Sequence, residues 1–106
     1  MKKFIMGWLK FKPGMRDAFV ASSAWYVDVC REEPGCVFFD MCLSPRDPDV
    51  AMVMECFASG EAHDQHLTTP HFHRFWKQLD DVCIEGTFQN IFSDTVVPDS
   101  AKFGTA

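Results

Sequence analysis

The sequence predicts one small α+β domain, on three observations. Strand-like apolar runs and helix-periodic segments follow one another in the order β-α-β-β-α-β, Pro-Gly and Asp-Pro punctuation separates them, and 106 residues suffice for a single core. Nearly half of the chain is apolar, with 11 Phe, 3 Trp and 6 Met. That is more large apolar material than so small a core takes in, so a subunit interface and a ligand cavity are expected to absorb the rest.

Each element follows from its residues. Lys3 to Phe11 is an apolar run with Phe, Ile and Trp, closed by Lys12-Pro13-Gly14, and reads as the first strand. Its opening Met1-Lys2-Lys3 mimics a signal peptide, but Lys10 and Lys12 cut the apolar run short and no small-residue cleavage site follows. Between Met15 and Glu33, the residues Met15, Ala18, Phe19, Trp25, Tyr26 and Val29 recur at helical steps, with Arg16, Asp17, Asp28 and Arg31 off that stripe. This predicts one amphipathic helix, ended by Glu33-Pro34-Gly35. Cys36 to Leu43 and Val50 to Phe57, joined by Ser44-Pro45-Arg46-Asp47-Pro48-Asp49, read as an antiparallel hairpin. Ser59 caps a helix through Glu61 to Leu67, and Thr69-Pro70 restarts a second from His71 to about Val82. A last strand is placed from about Thr87 to Val96. Residues 1–96 then form the domain, and 97–106 a tail expected to lie over the body or a partner.

This order is the ferredoxin-like arrangement, one antiparallel sheet with helices on one face. Both hairpin strands place apolar groups on both faces, as in Val37-Phe38-Phe39 and Val50 through Met54. One helix layer covers one face, so the other is expected to pack sheet against sheet in a homodimer.

Several partners are set aside by composition. A net charge of −5 with ten scattered basic residues does not fit a nucleic-acid binder. No run is long enough to span a bilayer, so a soluble, cytoplasmic chain without a membrane partner is expected. Cys30, Cys36, Cys42, Cys56 and Cys83 contain no CxxC pair and are odd in number, which reads as reduced packing thiols. There is no glycine-rich dinucleotide fingerprint or phosphate-binding loop, and no cofactor is expected. His63, His66, His71 and His73 raise the question of a metal. His-x-His on a helix points its rings apart, however, and no nearby Cys or carboxylate clearly completes the set, so no metal is expected.

Three stretches, Glu33-Pro34-Gly35-Cys36, Glu55-Cys56-Phe57, and Glu61-Ala62 through His66-Leu67-Thr68-Thr69-Pro70-His71-Phe72, together resemble the antibiotic biosynthesis monooxygenase (ABM) family. The shared features are a Pro-Gly turn into the second strand, an acidic-then-aromatic end to the third, and a helical histidine before a Thr-Pro-His-Phe restart. The resemblance runs from the first strand to about Phe92 and is most specific from Glu55 to Phe75. It implies a dimeric ferredoxin-like fold with a pocket between sheet and helices in each protomer. Active members of the family include oxygenases that need no metal, flavin or haem and oxidise electron-rich phenols or quinols; others degrade haem or isomerise small sugars. The haem-degrading pattern of a first-strand asparagine, a helical tryptophan and an axial histidine is met here by Gly7, His66 and Trp76, a departure that argues away from haem.

The resemblance therefore implies a cofactor-independent monooxygenase acting on a planar phenolic or quinol-type small aromatic substrate. The alternatives are a proton-transfer enzyme such as an isomerase on a small carbonyl compound, and a non-catalytic binding dimer. His66, at the family's helical histidine, is either the proton acceptor or a histidine hydrogen-bonded to the sheet. Glu55 orients His66, accepts a proton itself or pairs with a cation, and Tyr26 is a hydrogen-bonding partner. Gly7 leaves room for a ligand or for close backbone packing. If it faces the pocket, alternation sends Ile5, Leu9 and Phe11 the same way, and Phe4, Met6 and Trp8 to the dimer face. Leu9, Ser22, Trp25, Phe72, Phe75 and Trp76 are the expected pocket walls, or else core.

Overall fold

β1 (Lys2–Phe11) organises the architecture, because two long antiparallel ladders are built on it in the computed structural model, which describes residues 1–104. After it come α1 (Arg16–Ser22), α2 (Ala24–Arg31), β2 (Cys36–Leu43), β3 (Val50–Phe57), α3 (Gly60–His66), α4 (Pro70–Val82) and β4 (Cys83–Ser93). The strand order is β2-β3-β1-β4, with every neighbour antiparallel. The result is the expected ferredoxin-like α+β fold, with each helical segment in two pieces.

Side-chain alternation sets the two faces of the sheet. Ile5, Gly7, Leu9 and Phe11 are buried, and the register sets Gly7 opposite Val53 and Phe88, and Ile5 opposite Glu55 and Asn90. These residues share the helix-covered face, where the core forms around Phe11, Phe39, Phe57, Tyr26, Phe75 and Leu79. The opposite face carries Met6, Phe38, Met54 and Ile91, which are 37–46% exposed in the single chain. Burying that much of an aliphatic and aromatic surface is worth about 25 cal/mol per Å², so a face of this composition favours a cover.

Four expectations are corrected. The first helix is broken at Ser23, a buried residue whose hydroxyl donates to the Phe19 carbonyl at 2.7 Å and whose N–H reaches only back to Val20. Such serine back-bonding competes with the helical ladder and bends it. Arg16, placed off the apolar stripe, is buried, and Met15 is exposed. The Arg16 Nη1 donates to the carbonyls of Ser44, Asp47 and Val50, so the guanidinium holds the hairpin loop in place. The last strand begins at Cys83 rather than Thr87, directly from the end of α4, and stops at Ser93 because its partner β1 is then used up. Of the two places expected for the tail, the body of its own chain is not the one: residues 95–104 carry no regular structure, and Val97 and Phe103 are exposed. Residues 105 and 106 of the predicted tail lie outside the described residues. Among the described residues no helix is long and apolar enough to cross a membrane.

Candidate functional site

Two caps fix the starts of α3 and α4. Ser59 accepts from the Ala62 N–H at 3.1 Å, and Thr69 accepts from the Phe72 N–H at 3.2 Å with Pro70 in the first turn. The Thr69 hydroxyl also donates to the His66 carbonyl at 2.8 Å, which binds the end of α3 to the start of α4. His66 is thereby aimed inward, where it is 2% exposed and surrounded by the rings of Phe57, Phe72 and Phe39.

The polar partners of His66 come from elsewhere in the chain. Glu33, in the Glu-Pro-Gly turn, lies with its Oε2 2.8 Å from His66 Nδ1 and 2.8 Å from His71 Nε2. Burial alone would raise the Glu33 pKa, but the hydrogen bonds from His71 and His66 outweigh it and hold the carboxyl below its ordinary value. An ionised carboxylate only accepts, so Nδ1 of His66 carries the proton. The Nε2 lone pair is then left toward Tyr26, whose hydroxyl lies 3.4 Å away, and toward Glu55 Oε1 at 3.8 Å, beyond hydrogen-bonding distance. Desolvation lowers the His66 pKa, opposed by Glu33, so the imidazole is neutral near pH 7.

Glu55 projects from β3 into the same space. Its Oε1 is buried with no hydrogen-bond partner, and burial, helped by the charge of Glu33, pushes the carboxyl up to about 7. Tyr26 stacks on Phe75 with the rings 3.9 Å apart and nearly parallel, which holds its hydroxyl at the polar end; burial raises its pKa. His63 also faces inward. Its Nδ1 accepts from the Lys3 ammonium at 2.9 Å, and burial first, then the Lys3 charge, lowers its pKa to about 4.

His66, Glu55, Tyr26 and His63 give a polar end to a cavity of about 210 Å³, which Asn90 and apolar side chains, mostly of the sheet and α4, complete. Of the expected residues, His66, Glu55, Tyr26, Leu9, Phe72, Phe75 and Trp76 line it, and Ser22, Trp25 and Gly7 do not. Ser22 is exposed on α1, with its hydroxyl turned back to the Phe19 carbonyl at 2.8 Å. Trp25 packs against Tyr26 and Phe75 from outside, under the guanidinium of Arg74. The room left by Gly7 is taken by Phe88: a Cβ there would come within 2.8 Å of that ring. Phe88 and Asn90 of β4, and His63, line the cavity without having been expected.

A second grouping overlaps the first. The donor atoms of Cys30, Glu33, His66 and His71 all lie within 4.8 Å of one another, so the Cys and carboxylate that the histidines lacked in the linear sequence are supplied by the end of α2 and the turn after it.

Fold and site together define a ferredoxin-like domain with a buried histidine–carboxylate pair at the end of an apolar cavity. The chain belongs to the antibiotic biosynthesis monooxygenase family, whose model matches residues 4–78. A solved structure described as an antibiotic biosynthesis monooxygenase is 25% identical, with a TM-score of 0.77 over 92% of this chain and 100% of that one. A Pseudomonas aeruginosa protein is 19% identical with a TM-score of 0.80, covering 89% of this chain and 95% of that one. A Mycobacterium tuberculosis protein is 20% identical with a TM-score of 0.77, covering 96% and 100%. An uncharacterized Synechocystis protein is 28% identical over 78 residues, which are 74% of this chain and 53% of that protein. The chain thus spans about half the length of that curated relative.

Proposed function

We propose that the chain is a cofactor-independent monooxygenase that oxidises a small planar phenolic or quinol-type molecule with O2. The observation that carries this reading is the Nε2 of His66, which opens toward an apolar cavity while Nδ1 is fixed on Glu33. With the tautomer fixed, Nε2 is held only by the long 3.4 Å contact from the Tyr26 hydroxyl, and a substrate that displaces it meets the lone pair that a general base requires. Proton acceptance by Nε2 leaves a substrate anion, with Tyr26 in place to donate a hydrogen bond to it. The electron-rich anion passes one electron to O2, and the substrate radical and superoxide recombine as a peroxide. Where the oxidised carbon is a CH2, loss of water from that peroxide leaves a carbonyl, so that CH2 and O2 become C=O and H2O.

At about 210 Å³ the cavity is smaller than the roughly 300–1,000 Å³ of drug-sized sites, which favours substrates of one or two rings. A homodimer through the outer sheet face fits the exposed Met6, Phe38, Met54 and Ile91. All five cysteines are free, in keeping with a reducing compartment such as the cytoplasm.

A second reading rests on Glu55. Its buried, unpartnered carboxyl beside His66 gives two groups able to exchange a proton, which suits an isomerase on a small carbonyl compound. Oxygen consumption with a panel of mono- and bicyclic phenols and quinols separates the two: uptake above spontaneous oxidation supports the oxygenase, and none for any compound removes it.

A further inference from the structure

We propose that Cys30, Glu33, His66 and His71 form a binding site for a divalent zinc-type cation. The four donors come from three segments separated in sequence, yet their ligand atoms lie within 4.8 Å of one another. Metal–ligand bonds of about 2.0–2.3 Å set tetrahedral ligand atoms roughly 3.3–3.8 Å apart, so side-chain adjustments alone bring this group to coordination distance. The set is one sulfur, two imidazole nitrogens and one carboxylate oxygen, the mixture that borderline cations prefer. A thiolate and a carboxylate also cancel the charge of a divalent ion in a site where Cys30 and His66 are buried. Glu33 Oε2 already gathers both imidazoles at 2.8 Å through protons that a metal would replace. Glu33 and His71 are partly exposed, so the ion has a way in. The spacing, Cys-x2-Glu and His-x4-His, resembles the ligand spacing of structural zinc sites.

The ion does not take part in oxygen chemistry, because zinc has no accessible redox change. It does alter His66. With a metal on Nδ1, the neutral imidazole keeps its proton on Nε2, so the metal-bound and proton-accepting forms of this histidine exclude each other. The cation thus acts as an off-switch at the site proposed above, and its binding stands or falls without reference to turnover.

The test is titration of the reduced, chelator-treated protein with Co2+, the spectroscopic stand-in for Zn2+. One ion per chain is expected, with a thiolate-to-cobalt charge-transfer band in the near ultraviolet and the intense visible bands of tetrahedral cobalt, both erased by Zn2+. The charge-transfer band is lost in Cys30→Ser, and affinity falls on the order of a hundredfold in His71→Ala. His73→Ala, beside the site but outside it, binds as the wild type does. His71 is partly exposed, so its variant keeps the test open if Cys30→Ser does not fold. Absence of both bands in folded wild-type protein, or a charge-transfer band that survives Cys30→Ser, overturns the site. Neither result bears on oxygen uptake by the metal-free protein.

Discussion

His66 donates from Nδ1 to Glu33 Oε2 at 2.8 Å, joining the last turn of α3 to the turn that leads into β2. This bond decides which imidazole nitrogen faces the cavity, so in the proposed reaction Glu33 would act through His66. In Glu33→Gln the amide can present either its oxygen or its NH2 group, and the tautomer is no longer imposed. Steady-state kinetics on the metal-free protein is expected to show kcat lowered by about tenfold to a hundredfold with KM little changed. A larger change in KM than in kcat would assign Glu33 to substrate binding instead.

Glu55→Gln separates the two catalytic readings. The amide keeps the shape of the buried carboxyl and cannot exchange a proton. If His66 alone accepts the proton, oxygen uptake stays within about tenfold of wild type. Uptake abolished by this change would make Glu55 an obligatory proton carrier.

Gly35 lies against α3, where an added Cβ would overlap the Ala62 Cβ. Both atoms are fixed to backbone, so neither can swing aside. Gly35→Ala is expected to lower stability by about 1–3 kcal/mol in urea unfolding, and the added change Ala62→Gly to recover part of it.

His63 gives stability a dependence on pH. Its folded pKa, about 4, lies below the ordinary 6.5, so as pH falls the unfolded chain takes up this proton first. The contribution is fully present above pH 6.5 and is lost as pH falls toward 4, by on the order of 2 kcal/mol. Urea unfolding of wild type and His63→Gln at pH 7.5 and pH 5 should show the larger loss in the wild type. Equal losses would mean that His63 is not held neutral.

The outer sheet face is tested by charge. Light scattering at micromolar concentration is expected to give a dimer for the wild type, with dissociation strengthened on the order of a hundredfold in Met54→Lys, where an ammonium would be buried against a second copy. A wild-type monomer would contradict the dimer.

The fold was legible because its signals are local. Alternation in β1 sorted Ile5, Leu9 and Phe11 from Met6 and Trp8, and Ser59 and Thr69 marked two helix starts that the structure caps as expected. The break at Ser23 was not legible, since the apolar stripe runs through it and a serine hydroxyl decides it. His66, Glu55 and Tyr26 could be picked out singly, by resemblance or by polarity in an apolar setting. Glu33 could not. It stands in a turn and reads as punctuation, although the fold brings it against two histidines 33 and 38 residues away in sequence. Cys30 likewise reads as a packing thiol until the helix end sets it beside them. The space beside Gly7 is taken up by the Phe88 ring of the neighbouring strand, a contact that the sequence of β1 alone does not show. Contacts between segments distant in sequence leave no periodic trace, and the site is made of such contacts.

The most direct test is oxygen consumption by the chelator-treated protein with mono- and bicyclic quinols, wild type against His66→Ala. Uptake with at least one compound is expected, reduced by about a hundredfold or more in the variant. Uptake equal in the two proteins would contradict the role given to His66.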